Sequence, residues 1–156
     1  MGLATAISAL LLALTPTFAI GNASAQYDFR IVGDFNFDGR EDFAVQIDQS
    51  GSYGGPTFDV FLALPNGSFV RSEPLSRLTR ERLGMFEVDA QKKHLVTFGK
   101  SGCCYHVTEE LAVVGDAPVP VFRLTEDATG DAVLVTKQRW VNGKWHRNVR
   151  RVPKAP

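Results

Sequence analysis

The 156-residue sequence predicts an all-β fold, an antiparallel β-sandwich or barrel-like sheet of short strands with at most one short helix. Three observations predict it. Apolar residues recur at every second position in several short runs, polar turn residues separate those runs, and only one stretch has helical spacing.

Phe43, Val45 and Ile47 alternate with Ala44, Gln46 and Asp48, and Phe58, Val60, Leu62 and Leu64 alternate with Asp59, Phe61 and Ala63. A two-residue period places each set on one face of a strand. Pro65-Asn66-Gly67 leads from the second run into Phe69-Val70, which is a hairpin signal. Residues 86–89 and 95–98 flank another turn at residues 90–94. Residues 133–141 and 144–149 are separated by Asn142-Gly143, a pair suited to the positive φ angles of a type I′ turn. Between residues 73 and 84, Leu75, Leu78 and Leu83 stand near helical spacing, and Gly84 can end a short helix.

Residues 1–18 carry no charge and include the apolar run Ala9-Leu10-Leu11-Leu12-Ala13-Leu14; Ala23-Ser24-Ala25 follows. Apolar segment, polar break and A-x-A site in that order read as a secretory signal peptide over residues 1–25, although no Lys or Arg lies near Met1. The run is too short to span a bilayer, so no membrane anchor is expected, and a periplasmic or secreted location follows. Residues 26–156 are then one β-rich domain with one core. Lys and Arg together number 17, as do Asp and Glu. A neutral protein has no global field to hold nucleic acid or an anionic membrane. After Asp131, however, every charged side chain is basic: Lys137, Arg139, Lys144, Arg147, Arg150, Arg151 and Lys154. A solvated strand pair explains this stretch, and a patch for an acidic partner is the functional reading.

The segment Asp34-Phe35-Asn36-Phe37-Asp38-Gly39-Arg40-Glu41-Asp42 has the chemistry of a calcium loop. Calcium takes six to eight oxygens, and Asp34, Asn36 and Asp38 offer them at alternate positions. Gly39 permits the turn that brings the Arg40 carbonyl inward, and Asp42 closes the shell. Phe35, Phe37 and Phe43 can anchor the loop. An EF-hand is a poor match, because its twelfth-position Glu falls on Val45 and a strand follows. The pattern resembles instead the calcium loops of FG-GAP and integrin-type propeller repeats, but it occurs once, which excludes a propeller. A lone Ca2+ site beside a strand acts as a structural staple.

Ser101-Gly102-Cys103-Cys104-Tyr105-His106 holds both cysteines. An oxidising compartment favours a disulfide, but adjacent Cα atoms lie only about 3.8 Å apart, so Cys103–Cys104 bonding and two free thiols both stay open. The spacing with His94 and His106 fits no standard zinc motif. A thiol enzyme using Cys104 and His106 lacks a third orienting group, and adjacent Glu109 and Glu110 face opposite ways on a strand, where both read as ordinary exposed residues. The sequence is therefore read as non-enzymatic. A tight turn ending in Tyr105 and His106 suits recognition, as does the small-residue loop around Tyr53 at residues 51–56.

Five segments now stand in order: the 34–42 loop running into Phe43, Tyr53-Gly54-Gly55-Pro56-x-Phe58-Asp59-Val60-Phe61, Phe86-x-Val88-Asp89, Ser101 through Glu110, and Val141-Asn142-Gly143-Lys144-Trp145. In this order they resemble the family of periplasmic proteins related to the immunity partner of a Xanthomonas type IV-secreted lysozyme-like effector. That family is similar in fold to the periplasmic inhibitors of invertebrate-type lysozyme. The resemblance implies a β-rich domain that binds calcium structurally and blocks a peptidoglycan hydrolase with an inserted loop. The implied partner is a lysozyme-like glycoside hydrolase or toxin. Inhibitors of this kind use a Ser-Gly-x-Tyr motif. Ser101, Gly102 and Tyr105 match its residue types, with His106 beside them, while two cysteines replace the single spacer. The alternative is a calcium-stabilised, FG-GAP-like surface or periplasmic recognition domain with a glycan or protein ligand.

Overall fold

The computed structural model describes residues 30–154. The signal-peptide expectation for residues 1–25 lies outside the described residues. In chain order the elements are β1 (Arg30–Gly33), β2 (Asp42–Asp48), β3 (Thr57–Ala63), β4 (Phe69–Ser72), α1 (Glu73–Glu81), β5 (Glu87–Asp89), β6 (His94–Ser101), β7 (Tyr105–Val114), β8 (Ala117–Asp127), β9 (Ala132–Val141) and β10 (Lys144–Pro153). A 3-10 turn spans Ser52–Gly54.

The strands form two antiparallel sheets, one of four strands in the order β1-β2-β3-β4 and one of six in the order β10-β9-β8-β7-β6-β5. Neither closes on itself, so the architecture is the sandwich rather than the barrel-like sheet. The expected hairpins stand where the turn residues put them. Asn142 (φ 51°) and Gly143 (φ 75°) turn β9 into β10, and Gly67 (φ 80°) lies between β3 and β4. The strands of the larger sheet are longer than expected, since β7 to β10 each run ten or eleven residues.

The core joins both sheets and the helix through Phe35, Ala44, Phe58, Val60, Leu62, Leu75, Leu78, Phe86, Leu95 and Leu111. Truncating a buried Phe to Ala in such a core costs about 3–5 kcal/mol. On β3 the alternation read from sequence holds for Phe58, Val60 and Leu62. On β2 the inward residue is Ala44, and Ile47 is exposed. Phe43 is buried on the other face, stacked on Phe61 with centroids 4.8 Å apart and edge-on to Phe69, with the Arg30 guanidinium 4.3 Å from its centroid. Phe35, from the preceding loop, joins Ala44 in the core, while Phe43 and Val45 are buried on the other face. The Phe35 ring meets Phe86 edge-on at 5.4 Å.

The helix begins at Ser72, whose hydroxyl accepts from the Leu75 amide, with Pro74 in the first turn. Such a cap is worth about 1 kcal/mol. Leu75 and Leu78 face the core. Ser76 and Thr79 extend the edge of β3 where β4 ends at Ser72: the Val60 amide donates to Ser76 Oγ at 2.9 Å and the Phe58 amide to Thr79 Oγ1 at 2.9 Å. Two hydroxyls thus continue a ladder that the backbone of α1 cannot supply.

Candidate functional site

Residues 34–42 form a compact loop knit by its own side chains. The Asp34 carboxylate accepts from the amides of Asp38 at 3.0 Å and Gly39 at 2.9 Å, where Gly39 has φ 87°. Asn36 Nδ2 donates to Asp38 Oδ2 at 2.8 Å and to Asp116 Oδ1 at 3.0 Å, linking the loop to the β7–β8 turn. Arg40 Nε donates to the Ala63 carbonyl at 2.9 Å, and its guanidinium pairs with Asp38. Phe35 is buried in the core and Phe37 packs against it, so the aromatic anchoring expected of the loop is present. Asp42 is fully buried as a staple, accepting from the amides of Phe35 at 2.7 Å and Ala63 at 2.9 Å. Burial pushes its carboxyl pKa up, and the charges of Asp38 and Asp34 push the same way, against those two backbone hydrogen bonds.

The donor set suits calcium in kind. The oxygens are hard, and a carboxylate oxygen that accepts one N–H retains capacity for a cation. The spacing differs from the sequence expectation. Among the described residues no three His, Cys, Asp or Glu side chains are gathered to hold a metal, and Asp42 gives both its oxygens to backbone amides. The reason is local: Asp42 is turned into the sheet and Asp38 toward Arg40.

The two loops singled out for recognition meet. The 51–56 loop winds tightly, with the Gly54 amide donating to the Gly51 carbonyl at 2.9 Å and the Gly51 amide to the Gly55 carbonyl at 3.0 Å. A Cβ on Gly51 would stand 2.8 Å from the Gly55 oxygen, which excludes any larger residue without rearrangement. Tyr53 sits in the left-handed region at φ 57° and is exposed. Its phenol oxygen accepts from the Gly102 amide. Lys100 Nζ lies over the Tyr53 ring, 5.0 Å from its centroid. Next to this contact Cys103 and Cys104 are joined as a vicinal disulfide with Cα atoms 3.7 Å apart, and Gly102 turns the chain at φ 64°. The bonded pair leaves Cys104 no thiolate for His106 to activate.

Ser101 pairs with Tyr105 across β6 and β7, on the face turned toward the sandwich interior. Both line a cavity of about 250 Å³ together with Ser52, Lys100, Arg82 and Arg123. His106, the next residue, points to the opposite face and stacks on Phe98 with centroids 5.8 Å apart. Ser101, Gly102 and Tyr105 therefore form one surface with Tyr53, and His106 belongs to another.

Glu109 forms the floor of the cavity. It is 1% exposed, accepting from Arg82 Nε at 3.0 Å and Arg123 Nε at 2.7 Å. Glu110 faces the other way, as expected, between His94 Nδ1 at 3.1 Å and Lys92 Nζ at 3.2 Å. Burial alone would raise the Glu110 pKa, but those partners outweigh it and lower it. Reading both glutamates as exposed thus fails for each, since Glu109 is buried and Glu110 half-buried. The signal was the run Val107, Glu109, Leu111, which sets Glu109 on an otherwise apolar face.

No protein-family model and no curated protein matches the chain. Among solved structures it is similar to a Xanthomonas type IV secretion system related protein, at 30% identity and a TM-score of 0.66. The match covers 76% of this chain and 57% of that one, so the chain spans little more than half the length of that structure. Among the described residues, no helix is long and apolar enough to cross a membrane.

Proposed function

We propose that this is a secretion-associated, non-enzymatic binding protein, an inhibitor or immunity partner of a lysozyme-like peptidoglycan hydrolase, exported by the leader at residues 1–25. The observation that carries the reading is the pinned turn: Gly102 is held by Tyr53, and Ser101 and Tyr105 stand together beside it. A rigid aromatic tip loses little conformational entropy on docking, and a central Tyr of this kind is worth about 2 kcal/mol in an interface. The likeness to a type IV secretion related protein supports the setting.

The hydrolase cleft contains two carboxyl groups flanking the scissile bond. Tyr105 donates a hydrogen bond to one of them, and the Lys100 ammonium adds attraction from beside Tyr53. His106, on the opposite face, takes no part in the same approach. Calcium in this proposal is structural. Asp34, Asn36, Asp38 and the Arg40 carbonyl would hold it, with Asp42 fixing the loop to the sheet, and the ion would neutralise the loop's carboxylates.

The test is to mix the purified protein, from Gln26 onward, with lysozymes of different classes and measure complex formation and lysis. Inhibition of at least one class is expected, weakened at least about tenfold by Tyr105→Ala. Absence of any complex or inhibition across the panel sinks the reading.

A further inference from the structure

Beyond that reading lies a second surface. The interior-facing side of the larger sheet runs on past the sandwich, where β9 and β10 make their substantial contacts only with β8 and each other. Pro118 and Pro120 have no N–H to donate, and the β8–β9 ladder ends at Phe122 opposite Arg139. The last turn of the β9–β10 hairpin is thereby released from β8, and a groove of about 390 Å³ opens between them. It is lined by Val119, Pro120, Arg123, Gln138, Trp140 and Trp145. Trp140 and Trp145 are cross-strand partners with ring centroids 5.6 Å apart at 64°, and they are 46% and 41% exposed.

Two large indoles left half in water on one groove suit a ligand that offers them apolar faces. The faces of an aromatic ring are negative, and the C–H bonds of a sugar ring are polarised positive by the neighbouring oxygens. Gln138 and Arg123 supply planar donors at the same wall. Arg123 spends its Nε and one terminal nitrogen on Glu109, at 2.7 and 2.6 Å, and keeps other N–H groups free for a ligand oxygen. The charge is one-sided. Arg147, opposite Gln138, and Arg151, opposite Leu134, share the face with the indoles. Between residues 128 and 154 the single carboxylate is Asp131, which Arg151 holds at 2.7 Å. The hairpin tip itself is Asn142-Gly143-Lys144, polar and ill suited to entering a bilayer. The groove also shares Arg123 with the cavity under Tyr105, so a linear ligand finds successive sites along one track.

We propose that the Trp140–Trp145 groove binds a carboxylate-bearing glycan chain, with the indoles stacking on sugar rings and Arg123 and Arg147 meeting the acid groups. The chain has two tryptophans and both line the groove, so tryptophan emission, excited at wavelengths where tyrosine does not absorb, reports this site. The purified protein is titrated with a tetramer of 1,4-linked galacturonic acid, its methyl ester, polyglutamate and anionic phospholipid vesicles; variants are read by calorimetry after an unfolding curve shows that they fold. The expected result is saturable binding of the uronide, at least about tenfold weaker for the ester and for Trp145→Ala, and weaker for the exposed Arg147→Gln. Lysozyme inhibition by Trp145→Ala stays as in the parent, which separates this site from the Tyr105 turn. Lack of uronide binding overturns the proposal. So does equal binding of the ester, binding of polyglutamate as tightly and indifferent to Trp145→Ala, or a response to vesicles alone.

Discussion

The backbone amide of Gly102 donates a hydrogen bond to the phenol oxygen of Tyr53, 49 positions earlier in the chain. One contact thus joins the 3-10 turn that precedes β3 to the disulfide-bearing turn between β6 and β7. Removing the hydroxyl should release the second turn without unfolding the domain. In Tyr53→Phe the Gly102 amide is expected to exchange with solvent faster, by about fivefold for a bond worth about 1 kcal/mol, while the unfolding midpoint moves little. Native-state hydrogen exchange followed by NMR checks both.

The disulfide beside it should contribute little to global stability. It closes a loop of only two residues, so its chain-entropy effect is about 1 kcal/mol, against nearly 5 for a hundred-residue loop. Reduction with a dithiol is expected to shift the urea midpoint slightly and to perturb amide resonances around residues 101–105. Collapse of the whole spectrum on reduction would contradict this.

Glu109 behaves in the opposite way. Its carboxylate lies buried between Arg82, 32% exposed, and Arg123, 42% exposed. Removing the charge leaves two guanidinium groups facing each other. Glu109→Gln should cost about 3 kcal/mol, the lower end for a broken buried pair because both arginines reach water. Urea unfolding measures it, and a loss below about 1 kcal/mol would show the cluster to be dispensable.

Legibility from sequence divides along physical lines. The β3 alternation, the Asn142-Gly143 hairpin and the short helix could be read because each depends on residues close together in the chain. The facing of β2 could not, since Phe35 packs in the core and Phe43 against Phe61 and Phe69, contacts made between elements. The same limit hid Glu109, whose partners come from α1's C-terminus and β8, and the Tyr53–Gly102 tie. Ser101 and Tyr105 could be singled out, but the strand pairing was needed to separate Tyr105 from His106.

Calcium should raise the melting temperature. At a hundredfold excess over its dissociation constant a ligand adds about 2.7 kcal/mol, which for a domain of this size is about 10 °C or more. The increase should vanish on chelation and be smaller in Asp34→Asn. Identical melting curves with calcium and with chelator would remove the ion from the account.

Acid stability should depend on Asp48. Its carboxylate accepts from the Ser50 hydroxyl, the Thr57 hydroxyl and the Ser50 amide, which hold its pKa at about 2, below the ordinary 3.8. A depressed pKa means that the folded state favours the charged form. The stabilisation is complete above pH 3.8 and is lost as the pH falls through about 2. Asp48→Asn should therefore show a flatter decline over that window in urea unfolding followed against pH.

β10 ends the larger sheet, and apart from Val152 its residues lie open to solvent. A second molecule adding its own β10 there would bring Lys144, Arg147, Arg150 and Arg151 of both copies into one ladder, where like charges repel. The arginines that colour this strand thus keep an unpaired backbone from recruiting its twin. That protection weakens as salt shortens the reach of charge to about 3 Å near 1 M, so self-association should be favoured by high ionic strength rather than opposed by it.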